Sequence, residues 1–149
     1  MACAASSFLK DFRVCASGKP RYSLVAARQI EFHVVVLQEP KTLYRGCFGR
    51  GREALLHAMS SNYEVNRHPP HPADLRATVL HMAVSGFENR DLLARLARKR
   101  PDRIGSHIAR LELRPNHGVC IADTGSVGHW SVWGIPAQLT EFIADVEDL

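Results

Sequence analysis

Residues 123–136 read Asp-Thr-Gly-Ser-Val-Gly-His-Trp-Ser-Val-Trp-Gly-Ile-Pro, which sets a histidine and two tryptophans between glycines. The run His129 to Trp133 alternates with period two, so as a strand it sends His129, Ser131 and Trp133 to one side and Trp130 and Val132 to the other. A strand of this kind cannot stand alone. It needs a sheet beside it and a packed layer beneath it. The spacing predicts a core face carrying Trp130 and Val132, and a polar face, led by His129, that lines a cleft. Gly125, Gly128 and Gly134 permit sharp bends or close approaches at its ends, and Pro136 suits the first turn of a following helix.

The rest of the chain supplies partners for that strand. Residues 31–37 are rich in β-branched side chains and 42–46 are extended, whereas 52–60 show helical spacing through Ala54, Leu55, Ala58 and Met59. Asparagines and prolines make 61–72 a loop. Residues 73–82 read as a helix and 83–87 as a short strand or turn. Asn89 caps a helix that buries Leu92, Leu93, Leu96 and Ala97, and Pro101 stops it. In 107–113, Ala109, Leu111 and Leu113 oppose Arg110 and Glu112. The turn Pro115-Asn116-His117-Gly118 then predicts a hairpin whose return strand is 119–122. A short helix from Pro136 towards Glu141 and a last strand at 142–146 complete the order. The class is α+β, with helices set between strand-rich ends.

Charge divides the chain into an arm and a domain. Of the net charge of +4, all resides in residues 1–28, where Lys10, Arg13, Lys19, Arg21 and Arg28 face Asp11 alone; basic and acidic residues balance in 29–149. The neutral domain excludes a global basic field, so nucleic acid is not an expected partner despite a pI near 9.1. The arm is read as a loosely attached segment, in preference to a targeting sequence or residues upstream of a natural start. With 149 residues, the chain has enough length for one core without disulfides. Cys3, Cys15, Cys47 and Cys120 are scattered without framework spacing, which favours a reducing, cytoplasmic setting. No apolar run approaches the roughly 20 residues of a membrane span.

Few residues suggest chemistry. Arg45 stands where a strand gives way to a glycine-rich stretch and could grip a phosphate or carboxylate in a bidentate fork, although a salt-bridged surface arginine has the same local sequence. Ser85, between Val84 and Gly86, could hydrogen-bond a ligand; no G-x-S-x-G elbow surrounds it, so it is not read as a nucleophile. His129 could bind or exchange a proton near neutral pH, or simply pack. His68-x-x-His71 and His117-x-x-Cys120 have ligand-like spacing, but neither completes a four-ligand set, and no metal is expected. Arginines along 90–103 form a basic helix face that an acidic partner could meet, with the acidic C-terminal residues as an internal alternative.

In chain order, Leu43-Tyr44-Arg45-Gly46, Val84-Ser85-Gly86-Phe87, residues 108–113 and Gly128-His129-Trp130-Ser131-Val132-Trp133-Gly134 resemble small bacterial proteins of the ADP-ribosyltransferase-like superfamily. More distantly they resemble the RES-domain toxins of toxin–antitoxin pairs. The resemblance covers about residues 37–146. It implies two small, mostly antiparallel sheets forming a cleft for NAD, consumed as a substrate. It also implies Arg45 as dinucleotide anchor, Ser85 as ribose contact and His129 as third wall, with Arg45 and His129 the catalytic pair. A cognate antitoxin or immunity protein is the implied partner. The departure is that His129 stands where better-known relatives carry a glutamate, which leaves NAD cleavage, NAD binding alone and an inactive relative as open alternatives. A non-catalytic module that binds an acidic protein is the competing reading.

Overall fold

Strand β2 (Lys41–Cys47) organises the sheet, because its two edges serve two different blocks of strands. The computed structural model describes residues 35–62, 64, 65, 67 and 75–149. Along one edge, β2 runs in unbroken antiparallel register with β4 (His107–Leu113), from Lys41↔Leu113 to Cys47↔His107, and β7 (Ile143–Asp148) pairs outside β4. Along the other edge it meets β3 (Val84–Phe87) through the single pair Tyr44↔Phe87. From there β3 pairs with β6 (His129–Trp133), β6 with β5 (Cys120–Asp123), and β5 with β1 (Val35–Val36). The result is an α+β fold on one seven-stranded antiparallel sheet, ordered β1-β5-β6-β3-β2-β4-β7.

Two expectations change. The two separate sheets are one, because the Tyr44–Phe87 bridge joins a four-stranded block to a three-stranded block. The hairpin expected across residues 107–122 does not form. Both edges of β4 are already taken, by β2 and β7, so the chain after Leu113 crosses to the other block and β5 pairs with β6 and β1 instead. The turn residues still turn: Asn116 and Gly118 have φ of 69° and 70°. The tight hairpin lies one step later, between β5 and β6.

Helices α1 (Arg52–Ala58) and α5 (Pro136–Glu141) cover one face of the sheet. Beneath them Leu43, Leu111, Leu113, Ala109, Val132 and Leu139 are at most 1% exposed, and each of the larger ones contributes about 1.5–3 kcal/mol by leaving water. The alternation of 109, 111 and 113 is thus the core period. Helix α3 (Arg90–Lys99) covers the opposite face, placing Leu93 and Ala94 on Ile108, Tyr44 and Phe87. Its cap is as expected, with the Asn89 side chain accepting from the Leu92 amide at 2.9 Å. Pro101 ends α3 but opens a further turn, α4 (Pro101–Ile104), which lies against the end of β2. A Cβ on Gly46 would collide with the Ile104 carbonyl, so glycine is required for that approach. Helix α2 (Leu75–His81) precedes β3. Residues 1–28, His68, His71 and the start of the strand expected at 31–37 lie outside the described residues.

The core face of the His129 strand, Trp130 and Val132, is as expected, but the opposite face is covered as well instead of lining a cleft. Ser131 and Trp133 are buried at 4% and 6% exposure, and His129 and Trp130, at the start of the strand, are partly buried. Trp133 donates its indole N–H to the Val79 carbonyl at 3.0 Å, and Ser131 exchanges a 2.5 Å hydrogen bond with Thr124.

Candidate functional site

The junction of β2 and β3 concentrates the chemistry. With one backbone pair across it, the neighbouring polar groups must find other partners or remain unsatisfied. Arg45 supplies them at one end: Nη1 donates to the Ser85 carbonyl at 2.8 Å, and Nε donates to the Ala58 carbonyl at the end of α1. A cation at a helix C-terminus also meets the negative end of the helix dipole. Burial pushes the guanidinium pKa down to about 10, so it remains charged at neutral pH.

At the other end of the seam a second cluster does the same work with side chains alone. Lys41 of β2 pairs with Glu88 at 2.6 Å, Trp130 of β6 donates to the same Glu88 oxygen at 2.8 Å, and the Lys41 ammonium lies 3.9 Å from the Trp130 ring centroid. The Lys41 hydrogen bond holds the Glu88 carboxyl below its usual range. Between the two clusters, Leu43 leans over Gly86, where a Cβ would lie 2.9 Å from a leucine methyl.

Arg45, Ser85 and His129 stand on three adjacent strands, β2, β3 and β6, but their side chains do not share a face. Pairing puts Tyr44, Phe87 and His129 in one row and alternation puts Ser85 with them, on the α3 side. Arg45, one residue on, turns to the α1 side. His129 packs edge-on to Phe87 at 5.1 Å, and its Nδ1 is enclosed without a hydrogen-bond partner among the described residues, facing Gly125. Burial lowers the imidazole pKa; Asp123 opposes this and the Arg45 charge adds to it. The ring is neutral at pH 7.

Open space lies elsewhere, at the Gly46 end of the seam. A cleft of about 500 Å³ is lined by Arg45, Phe48, His57, Arg67, Asp102 and Arg103, together with backbone and smaller side chains. Phe48 is 53% exposed at this cleft. Ser85 and His129 are not among its lining residues. The sequence signal for the cleft is faint: the glycine-rich stretch after Arg45 marks only the end of a strand, and nothing local ties Arg67 or Arg103 to Arg45. Among the described residues no group of three or more His, Cys, Asp or Glu side chains could hold a metal. Nor is any helix there long and apolar enough to cross a membrane. No family model matches the chain, and neither a curated protein nor a solved structure does.

Two outcomes follow from this geometry. Arg45→Met strips donors from two carbonyls inside the fold and lowers unfolding free energy by about 2–4 kcal/mol in urea titrations, with Arg45→Lys recovering part of the loss. An arginine serving only a ligand would leave stability unchanged. For His129 the folded pKa lies below the unfolded value near 6.5, so the unfolded chain takes up the proton first as pH falls. Stability declines as pH drops below about 6.5, and His129→Gln shows a smaller decline between about pH 7.5 and 5.5 by the same titration.

Proposed function

We propose that the chain binds NAD, or a nucleotide that shares its pyrophosphate, in the cleft at the Gly46 end of the β2/β3 seam. The observation that carries this reading is the lining: Arg45, Arg67 and Arg103 border one cleft together with an exposed aromatic ring, Phe48. Guanidinium groups hold phosphate oxygens through paired, charge-assisted hydrogen bonds, and an aromatic face accepts a stacked base. A cleft of about 500 Å³ is within the range of small-molecule sites. The resemblance alone contributes the choice of NAD among such nucleotides, since Ser85 and His129 do not converge with Arg45 on the cleft.

In this reading Arg45 is chiefly a positioning residue. Two of its donors are committed to the Ser85 and Ala58 carbonyls, which fixes the guanidinium at the cleft wall. Ser85 and His129, on the other face, pack the sheet. Hydrolysis of NAD would then break the ribosyl C–N bond, nicotinamide leaving with the electron pair, as water forms the new C–O bond. The cleft's Asp102 would oppose the positive charge developing on the ribose, and His57 would take the proton that the water gives up. A role as the toxin of a toxin–antitoxin pair rests on the resemblance alone.

Arg67 and Arg103 are exposed, so their replacement tests the site without disturbing the core. By calorimetric titration with NAD, Arg67→Ala and Arg103→Ala each weaken binding by about tenfold or more while unfolding is unchanged. Absence of saturable NAD binding by the folded chain would overturn the reading, and release of nicotinamide in the same mixture distinguishes consumption from binding.

A further inference from the structure

The outward side of α3 and its continuation into α4 carry Arg95, Arg98, Lys99, Arg100 and Arg103, all exposed and interrupted only by Asp102. Among the described residues, none of these five enters an ion pair. The ion pairs of this helix use Arg90 instead, which reaches Glu147 at 2.5 Å and Asp91 at 3.1 Å. Like charges at helical spacing repel one another, so the strip holds a concentrated positive potential that nothing in the described fold neutralises. Its inner side is committed to the sheet through Leu93, Ala94 and Ala97. The strip is thus rigid, solvent-facing and cationic, and Arg103 carries it to the mouth of the cleft.

We infer that this strip is a docking surface for an acidic protein segment, whose carboxylates meet Arg95, Arg98, Lys99 and Arg100 and whose path ends over the cleft at Arg103. Two features favour an acidic polypeptide over nucleic acid. The positive field is local on a domain whose charges balance as a whole, which suits a short segment more than a long polyanion. None of the exposed large hydrophobic residues falls between 88 and 106, so the strip offers no ring on which bases could stack. A second copy of the chain is the weaker occupant. Two of the three acidic residues of β7 are ion-paired within their own chain, Glu147 to Arg90 and Asp148 to Arg50 and His107, while Asp145 accepts from the Val146 amide. A basic face meeting a different acidic face would also be a heterologous contact, which closes only into a ring of particular rotation and not into a two-fold dimer.

The inference rests on the charge of the surface and not on the identity of the ligand in the cleft, so the two can fail separately. The test is fluorescence anisotropy of the full chain with a labelled peptide of alternating glutamate and serine, a glutamine-for-glutamate control and a single-stranded oligonucleotide of equal charge. The glutamate peptide is expected to bind, to weaken by about tenfold when salt rises from about 50 to 200 mM, and to outcompete the oligonucleotide. The triple variant R95E/R98E/K99E, changed only at exposed positions, is expected to lose at least tenfold in peptide affinity with its unfolding curve unchanged. Equal binding of the triple variant, no binding of the glutamate peptide at low salt, or tighter binding of the oligonucleotide would each overturn the proposal. So would salt-sensitive self-association of the chain that the same three changes abolish.

Discussion

The structure depends on a weak seam held by strong side chains. One backbone pair, Tyr44↔Phe87, joins the two blocks of the sheet, where an uninterrupted junction such as β2/β4 has seven. To this are added apolar cores that span both blocks, a guanidinium bonded to two carbonyls at one end and a Lys41–Glu88–Trp130 cluster at the other. Hydrogen bonds to a charged donor are worth more than neutral ones, and losing a donor strands its acceptors. The seam can therefore be sparse in backbone pairing without being loose. The cleft lies at the Gly46 end of this seam.

The same architecture decides which residues can meet a ligand. At the centre of the sheet both faces are covered, by α1 and α5 on one side and α3 on the other, so side chains there are largely enclosed, whereas Thr42 and Arg110 stay exposed. His129 and Ser131 show this: one is half-buried with an unpartnered ring nitrogen, the other is 4% exposed and bonded to Thr124. Ligand access is left to strand ends and loops, where Phe48, Arg67 and Arg103 stand. The basic strip meets that cleft at Arg103, which belongs to both.

Much of the fold was legible because local periods agreed with the final packing. The 109-111-113 alternation, the Asn89 cap, the helix after Gly51 and the strand from His129 to Trp133 all stand as their spacing predicts. Pairing was less legible. A turn at 115–118 looks like a hairpin, and only the occupancy of both edges of β4 forbids one. The polar face assigned to His129 failed for a related reason, since period two gives two faces but does not say that a second layer will cover the polar one. Arg45 was visible as a guanidinium at a strand end. Its bonds to Ala58 and Ser85 are contacts 13 and 40 residues away, which no local pattern encodes.

The central claim is that a nucleotide meets this protein at the seam's open end and not at the His129 face. An NMR titration of the full chain with NAD reads this directly, residue by residue. The account predicts shifts in the amides of 46–51, 57–60 and 102–105, with those of 124–131 nearly still. Shifts centred on Ser85 and His129 would contradict it, as would an unchanged spectrum at saturating NAD.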